Sequence, residues 1–553
     1  MQQLTGGQAL VAQLIAEGVK DIFGIPGVQL DWAVDAIRQC SKELRLIVPR
    51  HEQATSYMAD GYARTTGREG ICMVVPGPGM LNALSGIATA YACCAPVLFL
   101  VGQISSKAIG AGHGLLHELP DQSGILKSLT KWHALARTPE DIPGLVHEAF
   151  VQLRSGTPRP VTLEIPPDVL QAKGQVSLLP RAERQRALPD VSAIIHAVEK
   201  LAASRRPVIY AGGGAMASDA GAAIQALAER LQAPVVMTEG ARGLIDSRHS
   251  LALTGLGGRA VLPHSDLVLV FGSRFVDAEA TPTDARDAVE YIYVNTHEAH
   301  MEGGRKAGLR LHGDANATAE ALLKGLPDDP RPAAADRVAK VKAWAAAQVE
   351  AIEPQQSFVK ALRAAMDADD ILVSELTQIG YYSNVAFPAY KPRRYVTPGY
   401  QGTLGYGFNT ALGAAHGNPD HRTVSLNGDG GFGWGLQELS TLARDALNLS
   451  VVVFVDGKFG NVQRIQKRVF GVEFATDVVS PDFEFLGRAY GIPTTLTDSP
   501  AGLRQALETA KSRKGPALIV VKVGEMPSPW ALIHAFVPSS LPVPPNPLGT
   551  PAT

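Results

Sequence analysis

Short apolar runs recur at residues 21–24, 45–48, 70–75, 97–101 and 161–165, and stretches with helical apolar spacing lie between them. Strands that are apolar on both sides must be covered on both faces, so this alternation restricts the chain to an α/β fold of open parallel sheets covered by helices. The same rhythm resumes at 207–211, 234–237, 267–271 and 291–294, and again at 370–373, 394–397, 423–427, 450–455 and 517–522. A chain of 553 residues exceeds what one core holds. Three units are therefore expected, at 1–170, 191–330 and 331–535. The polar segment 171–190, with Pro180, reads as a linker, and a breaker-rich stretch at 324–335 separates the second unit from the third. Residues 536–553, rich in proline and small side chains, read as an extended tail able to pack on a neighbouring surface. Thr5-Gly6-Gly7-Gln8 has the form of a capping box that opens the first helix.

Charge and cysteine usage remove several classes of function. With 51 basic and 53 acidic residues the formal charge is -2, which gives no electrostatic reason to expect nucleic acid or an anionic membrane as partner. The four cysteines, Cys40, Cys72, Cys93 and Cys94, have no CxxC or zinc spacing and read as free thiols in a reducing compartment. The residues after Met1 carry no basic, then apolar, leader pattern, and the apolar run 91–101 is too short to cross a bilayer. A soluble, cytoplasmic protein is expected.

Chemistry concentrates in the third unit. Gly428-Asp429-Gly430-Gly431 follows one expected strand, and Asp456-Gly457-Lys458-Phe459-Gly460 follows the next. Two carboxylates thus stand at the C-terminal ends of successive parallel strands, where open α/β sheets bind ligands. Such a pair suits a hard cation like Mg²⁺ holding a phosphate. Alone, the Gly-Asp-Gly would be as well explained by a surface turn; its pairing with Asp456 favours the functional reading. An amphipathic helix carrying Leu436, Leu439, Leu442, Ala443 and Ala446 is expected after Asp429, its first amides free for phosphate oxygens. A second glycine-rich element, Gly399-Tyr400-Gln401-Gly402-Thr403-Leu404-Gly405-Tyr406-Gly407, allows a cofactor to lie against backbone with Leu404 as its one apolar side chain. In the first unit Arg50-His51-Glu52-Gln53 stands between a strand and a helix, where a glutamate is ordinarily a solvated cap.

Taken together these motifs resemble the thiamine-diphosphate enzymes of the acetolactate synthase, benzoylformate decarboxylase and benzaldehyde lyase group, over nearly the whole chain. The resemblance implies a pyrimidine-binding first unit, a central unit and a diphosphate-binding third unit. It implies a cofactor held between two subunits, with a homodimer as the minimum and a homotetramer in many members. Glu52 is then the acid that hydrogen-bonds the pyrimidine ring, Leu404 the apolar prop under the thiazolium, and Asp429, Asp456 and the carbonyl of Lys458 the Mg²⁺ ligands. Thr377, Gln378 and Ile379 match a loop beside the diphosphate, chiefly through backbone amides. Pro26, Gly77 and Asn82 of the first unit, with Gly402, Gly428, Gly430, Gly431, Phe459, Gly460, Asn461 and Val462, complete that cofactor-binding set. The family's second metal position is usually asparagine; Asp456 adds a negative charge that Lys458, Arg464, Lys467 or Arg468 would have to offset.

For the substrate side, Pro26, Gly27, Val28 and Gln29, and Pro76-Gly77-Pro78-Gly79 with Asn82, form two loops of the first unit. Gln29 is a polar substrate-binding candidate. His113 and His117 are candidates to protonate an intermediate near neutral pH, against an equally weighted reading as loop histidines with structural bonds. His51 reads as an orienter, and His534 as a residue the tail could carry over the site. Ala211-Gly212-Gly213-Gly214-Ala215 lacks a complete dinucleotide fingerprint, and Asn295-Thr296-His297 departs from the flavin-containing relatives, so FAD is not expected. Asn461 and Ile465 replace a methionine and a specificity tryptophan of biosynthetic acetolactate synthases. The resemblance then implies a decarboxylase or carboligase acting on a small 2-oxo acid through an enamine-carbanion intermediate. A lyase cleaving an acyloin, another 2-hydroxy ketone or a 2-hydroxyacyl-CoA is the alternative.

Overall fold

The computed structural model describes residues 1–276, 283, 286, 288–302 and 304–551. Three six-stranded sheets, each wholly parallel, carry the architecture. The first part of the chain contributes β1 (Gln2–Thr5), β2 (Asp21–Gly24), β3 (Arg45–Ile47), β4 (Gly70–Val74), β5 (Val97–Gly102), β6 (Trp132–Leu135), β7 (Val161–Ile165) and β8 (Lys173–Val176). Six of these form a sheet in the order β3-β2-β4-β5-β7-β6. The central part contributes β9 (Pro207–Ala211), β10 (Val235–Met237), β11 (Ala252–Thr254), β12 (Leu267–Phe271), β13 (Glu290–Asn295) and β14 (Leu309–His312), ordered β11-β10-β9-β12-β13-β14. The last part contributes β15 (Ile371–Ser374), β16 (Tyr395–Val396), β17 (Thr423–Gly428), β18 (Leu449–Val455), β19 (Thr494–Thr497) and β20 (Ala517–Lys522), ordered β16-β15-β17-β18-β20-β19.

The apolar runs form the sheet interiors because no face of them reaches water: every residue of β2, β4, β5, β7, β9, β12 and β15 is buried. The first helix starts as its sequence dictates, with Thr5 Oγ1 accepting from the Gln8 amide and Gln8 Oε1 from the Thr5 amide, at 3.2 and 3.0 Å. Residues 171–190 are more structured than a linker reading implies. Within them β8 pairs antiparallel with β1, Leu179 exchanges hydrogen bonds with the Gln13 side chain, and the Ala182 amide reaches Glu17. The tail packs back on the molecule, with the Pro544 carbonyl accepting from Trp344 Nε1 at 2.8 Å and Asn546 bonding the Ala260 carbonyl.

The central sheet has an apolar core of its own. The first and third sheets each have a core on one face and share a further one, in which Phe23, Tyr57, Met58 and Phe99 pack with Tyr406, Phe408, Leu442 and Val451. The helices Glu52–Thr66 and Tyr406–Gly417 lie at its centre. They approach so closely that a Cβ at Gly413 would strike the Met58 backbone. No helix among the described residues is long and apolar enough to cross a membrane.

Candidate active site

In the third sheet the chain leaves β15 toward β16 on one side and continues with β17 on the other. The loops after β15 and β17 therefore diverge and open a crevice at the C-terminal edge, the place where such sheets take ligands. Thr377 caps the helix Gln378–Ala386 by accepting from the Gly380 amide at 3.0 Å, and faces Gly428 at the end of β17. Asp429 follows, buried, with Oδ1 accepting from the Gly430 amide and Oδ2 from the Gly457 amide, both at 3.0 Å, and from Ser480 Oγ at 2.8 Å. Its carboxylate thus bridges the turn after β17 to the loop after β18. Asp456 accepts from the Lys458 amide at 3.0 Å. A Cβ on Gly460 would come within 3.0 Å of Asp456 Oδ2 and 2.9 Å of Gln378 Nε2, and one on Gly430 within 2.8 Å of the Phe459 ring. Burial raises the Asp456 carboxyl above its ordinary range and Asp429 adds to this, while the Lys458 amide and Arg464 oppose it.

One expectation about this region changes and another narrows. The amphipathic helix after Asp429 is broken into a short turn, Asp429–Phe432, a 3-10 turn, Leu436–Glu438, and the helix Leu439–Arg444. Gly433 and Gly435, flanking Trp434, interrupt the run. Of the cations expected to offset the second charge, the Lys458 ammonium is instead paired with Glu473 and Asp477, and Lys467 with Glu473. Arg464 is the cation that acts on Asp456; its Nη2 donates to Gln378 Oε1 at 2.5 Å, while Nη1 is buried without a partner.

Around this crevice Gly402 meets Leu376, and Leu404 stands exposed. Gly405 caps the helix Tyr406–Gly417 at φ +80°, a conformation that a side chain would strain. Asn461, on the helix Gly460–Phe470, accepts from Trp530 Nε1 at 3.0 Å, and Val462 is exposed on the same helix. Ile379 is fully buried in the core, so only its backbone can face a ligand.

The first sheet repeats this topology, with β3 on one side of β2 and β4 on the other. The loops after β2 and β4 carry Pro26 to Gln29 and Pro76 to Gly79, and Gly27 lies directly against Val75. Gln29 is buried, with Nε2 donating to the Leu116 carbonyl at 3.2 Å and Oε1 left unpartnered. Gly77, at φ +60°, abuts the His117 backbone, and its amide donates to Gln122 Oε1 at 3.1 Å. His117 adopts φ +69°, and its Nδ1 is buried without a partner. His113 lies exposed in the same loop. Glu52 opens the helix Glu52–Thr66, and its Oε2 accepts from Asn82 Nδ2 at 3.0 Å. His51 caps that helix, its Nδ1 accepting from the Gln53 amide. Loops 25–29, 76–79 and 110–118 thus converge near one edge, and Asn82 ties the helix carrying Glu52 to them.

Family models agree with this arrangement in all three parts of the chain. The N-terminal thiamine pyrophosphate binding domain matches residues 4–125, the central domain of thiamine pyrophosphate enzymes residues 194–322, and the C-terminal thiamine pyrophosphate binding domain residues 377–521. The chain is 36% identical over 535 residues, 94% of each sequence, to a probable 2-ketoarginine decarboxylase of Pseudomonas aeruginosa. The chain belongs to the thiamine pyrophosphate enzymes. It is also 30% identical over 536 residues, 94% of each, to the acetolactate synthase isozyme 1 large subunit of Escherichia coli. A probable acetolactate synthase large subunit of Methanocaldococcus jannaschii is 30% identical over 551 residues, 94% of this chain and 92% of the relative.

Membership makes thiamine diphosphate the cofactor, and the crevice fits its diphosphate end. A buried guanidinium nitrogen of Arg464 lacks a partner beside Gln378 and Asp456, and small residues line the approach. Among the described residues no group of three His, Cys, Asp or Glu side chains could hold a metal. Two carboxylates alone leave room for phosphate oxygens and a carbonyl in the shell of a hard cation.

A cavity of 1480 Å³ lies between the three sheets and reaches Leu376 and Gly402 beside the crevice. It opens at the central switch point, where the loops after β9 and β12 touch through Gly212 and Gly272. Asn295 and Thr296 line it, as does His534, stacked between Trp530 and Phe536 at 5.1 and 5.3 Å.

Glu375, Ser480 and Glu438 carry no role in the sequence reading. Glu375 is buried at the end of β15, and its Oε1 accepts from the Gly405 amide at 2.8 Å. Its position immediately after a parallel strand is the one signal that marked it. Burial pushes its carboxyl up to about 8 from an ordinary 4.5, opposed by the amides of Gly405, Tyr406 and Gly428. The native state therefore keeps a proton that the unfolded chain has released. In the cofactor-free protein, stability falls as pH rises from about 4.5 through about 8, at up to about 1.4 kcal/mol per pH unit. Denaturant midpoints compared at pH 5.5 and 8 should fall more for wild type than for E375Q; equal falls would remove this assignment.

Proposed function

We propose that the chain is a thiamine-diphosphate and Mg²⁺-dependent decarboxylase or carboligase acting on a small 2-oxo acid. The observation that carries this reading is the meeting of Asp429, Asp456, Gln378 and the unpartnered Arg464 nitrogen at one sheet switch point. Bound thiamine diphosphate supplies a nucleophilic carbon that also serves as an electron sink for decarboxylation. Asp429, Asp456 and the Lys458 carbonyl hold the cation. The amides of Thr377, Gln378, Ile379, Gly430 and Gly431, with Gly428, Phe459, Gly460, Asn461 and Val462 around them, cradle the diphosphate. Leu404 would support the thiazolium ring, and Glu52, whose carboxylate accepts from Asn82, would share a proton with the pyrimidine. Pro26, Gly77, Gln29, His113 and His117 face the substrate. The unpartnered Gln29 Oε1 and His117 Nδ1 are the groups free to bind it or relay a proton.

The active assembly is a homodimer at minimum, and a homotetramer as the full form, in the cytoplasm. Its support is the pair of exposed apolar surfaces flanking the two half-sites. Val28, Leu115 and Leu116 lie on the first, and Val462, Ile465, Phe470 and Phe474 on the second.

A substrate panel tests the activity. With thiamine diphosphate and Mg²⁺ present, CO₂ should be released from pyruvate, 2-ketoarginine or benzoylformate. Aldehyde released without CO₂ from benzoin or a 2-hydroxyacyl-CoA, and no CO₂ from any 2-oxo acid, would replace this reading with a C–C lyase.

A further inference from the structure

The backbone leading into Glu52 is held by a part of the same chain nearly four hundred residues away. Glu438 is fully buried, and its Oε1 accepts from the amides of both Arg50 and His51, at 2.9 and 3.0 Å. Its Oε2 accepts from the Arg50 amide at 3.0 Å and from Thr441 Oγ1 at 2.6 Å. On either side, the Trp434 carbonyl accepts from Gln53 Nε2, and Arg444 Nη1 donates to the Val48 carbonyl at 2.6 Å. Residues 434–444 thus form a rail along residues 48–53, and the rail begins just beyond the turn that carries Asp429.

An amide ahead of a helix has no partner within it and needs another acceptor. His51 spends its side chain on Gln53, so Arg50 and His51 must look outside the first sheet. A buried carboxylate is a costly way to meet that need unless several donors converge on it. Four hydrogen bonds from three residues do so here. The result fixes both the height and the direction of the first turn of the helix, and with them the Glu52 carboxyl.

We infer that Glu438 is the positioning residue for Glu52, holding the acid where it meets the pyrimidine ring through the Arg50 and His51 amides. The inference rests on the assignment of Glu52 as that acid. Because the rail continues from the Asp429 turn, the loop that takes the diphosphate at one site also sets the acid that its own chain presents.

The test uses the full-length protein. In cofactor-free protein, hydrogen–deuterium exchange of peptides covering residues 48–54 should speed up about tenfold or more in E438A. E438Q, whose amide oxygen still accepts both backbone amides, should stay near wild type. In the loaded protein, C2-proton exchange of bound thiamine diphosphate should fall about tenfold or more in E438A. E438Q should recover it, and the cofactor dissociation constant should change little in both. Wild-type exchange of both kinds in E438A overturns the inference. E52Q run in parallel separates the two ideas: slow C2 exchange in E52Q beside normal exchange in E438A rejects the positioning role alone. Normal exchange in E52Q rejects the Glu52 assignment itself. If E438A does not fold, T441V carries the test, with several-fold faster amide exchange over residues 48–54 and several-fold slower C2 exchange expected, and no change in either counting against it.

Discussion

Replacing Glu52 by glutamine should lower C2-proton exchange of bound thiamine diphosphate about a hundredfold or more, while leaving the fold intact. The magnitude follows from what a positioned acid contributes to proton transfer. Glutamine keeps the shape and an oxygen for Asn82 Nδ2, now 3.0 Å from Glu52 Oε2, but has no proton to share with the ring. The helix should survive, because its start is secured by the His51 cap and by the Arg50 and His51 amides rather than by the Glu52 side chain. Quenched-flow exchange in D₂O followed by NMR reads the rate, and circular dichroism with thermal melting reads the fold. A wild-type rate in a folded E52Q protein would take the acid role away from this residue.

Loss of the Asp429 carboxylate should have an effect of similar size on cofactor retention. In D429A the apparent affinity for thiamine diphosphate at fixed Mg²⁺ should drop about a hundredfold or more. Both the proposed metal ligand and the bridge from the β17 turn to Gly457 and Ser480 disappear together. D456N should behave differently. It keeps an oxygen ligand and removes one of two neighbouring negative charges, so cofactor binding should persist with a changed preference among divalent ions. Titration of the cofactor-free variants with thiamine diphosphate and Mg²⁺, Mn²⁺ or Ca²⁺ distinguishes them. Complete loss of binding in D456N, or retention in D429A, would contradict the proposed metal pair.

Much of the architecture could be read from residues alone because sheet interiors are uniformly apolar. The strands missed by that reading, β6, β11, β14 and β19, all lie at sheet edges. One side of an edge strand meets solvent, and accordingly β19 has no buried position and β14 only Leu311, which blurs the apolar run. β1 and β8 escaped notice for a related reason, since their two-stranded pairing is specified by each other across the whole first sheet rather than by local pattern. The carboxylates after β17 and β18 were legible because glycines crowd around them. Glu438 and Ser480 were not, since each acts on a partner distant in sequence and neither has a local motif. The single helix expected after Asp429 shows the opposite error, where an apolar periodicity concealed two glycines able to divide it.

The core shared by the first and third sheets has a consequence for biosynthesis. The helix Glu52–Thr66 leaves the ribosome early, yet the surface that covers Tyr57 and Met58 is supplied by residues 406–417. The central sheet, with a core of its own, can close while the earlier segment still waits for its cover. During that interval the nascent chain displays an apolar helix face that a chaperone must shield or a neighbouring nascent chain can capture. Slow translation or truncation between residues 330 and 406 is therefore the condition under which aggregation of this protein should be greatest.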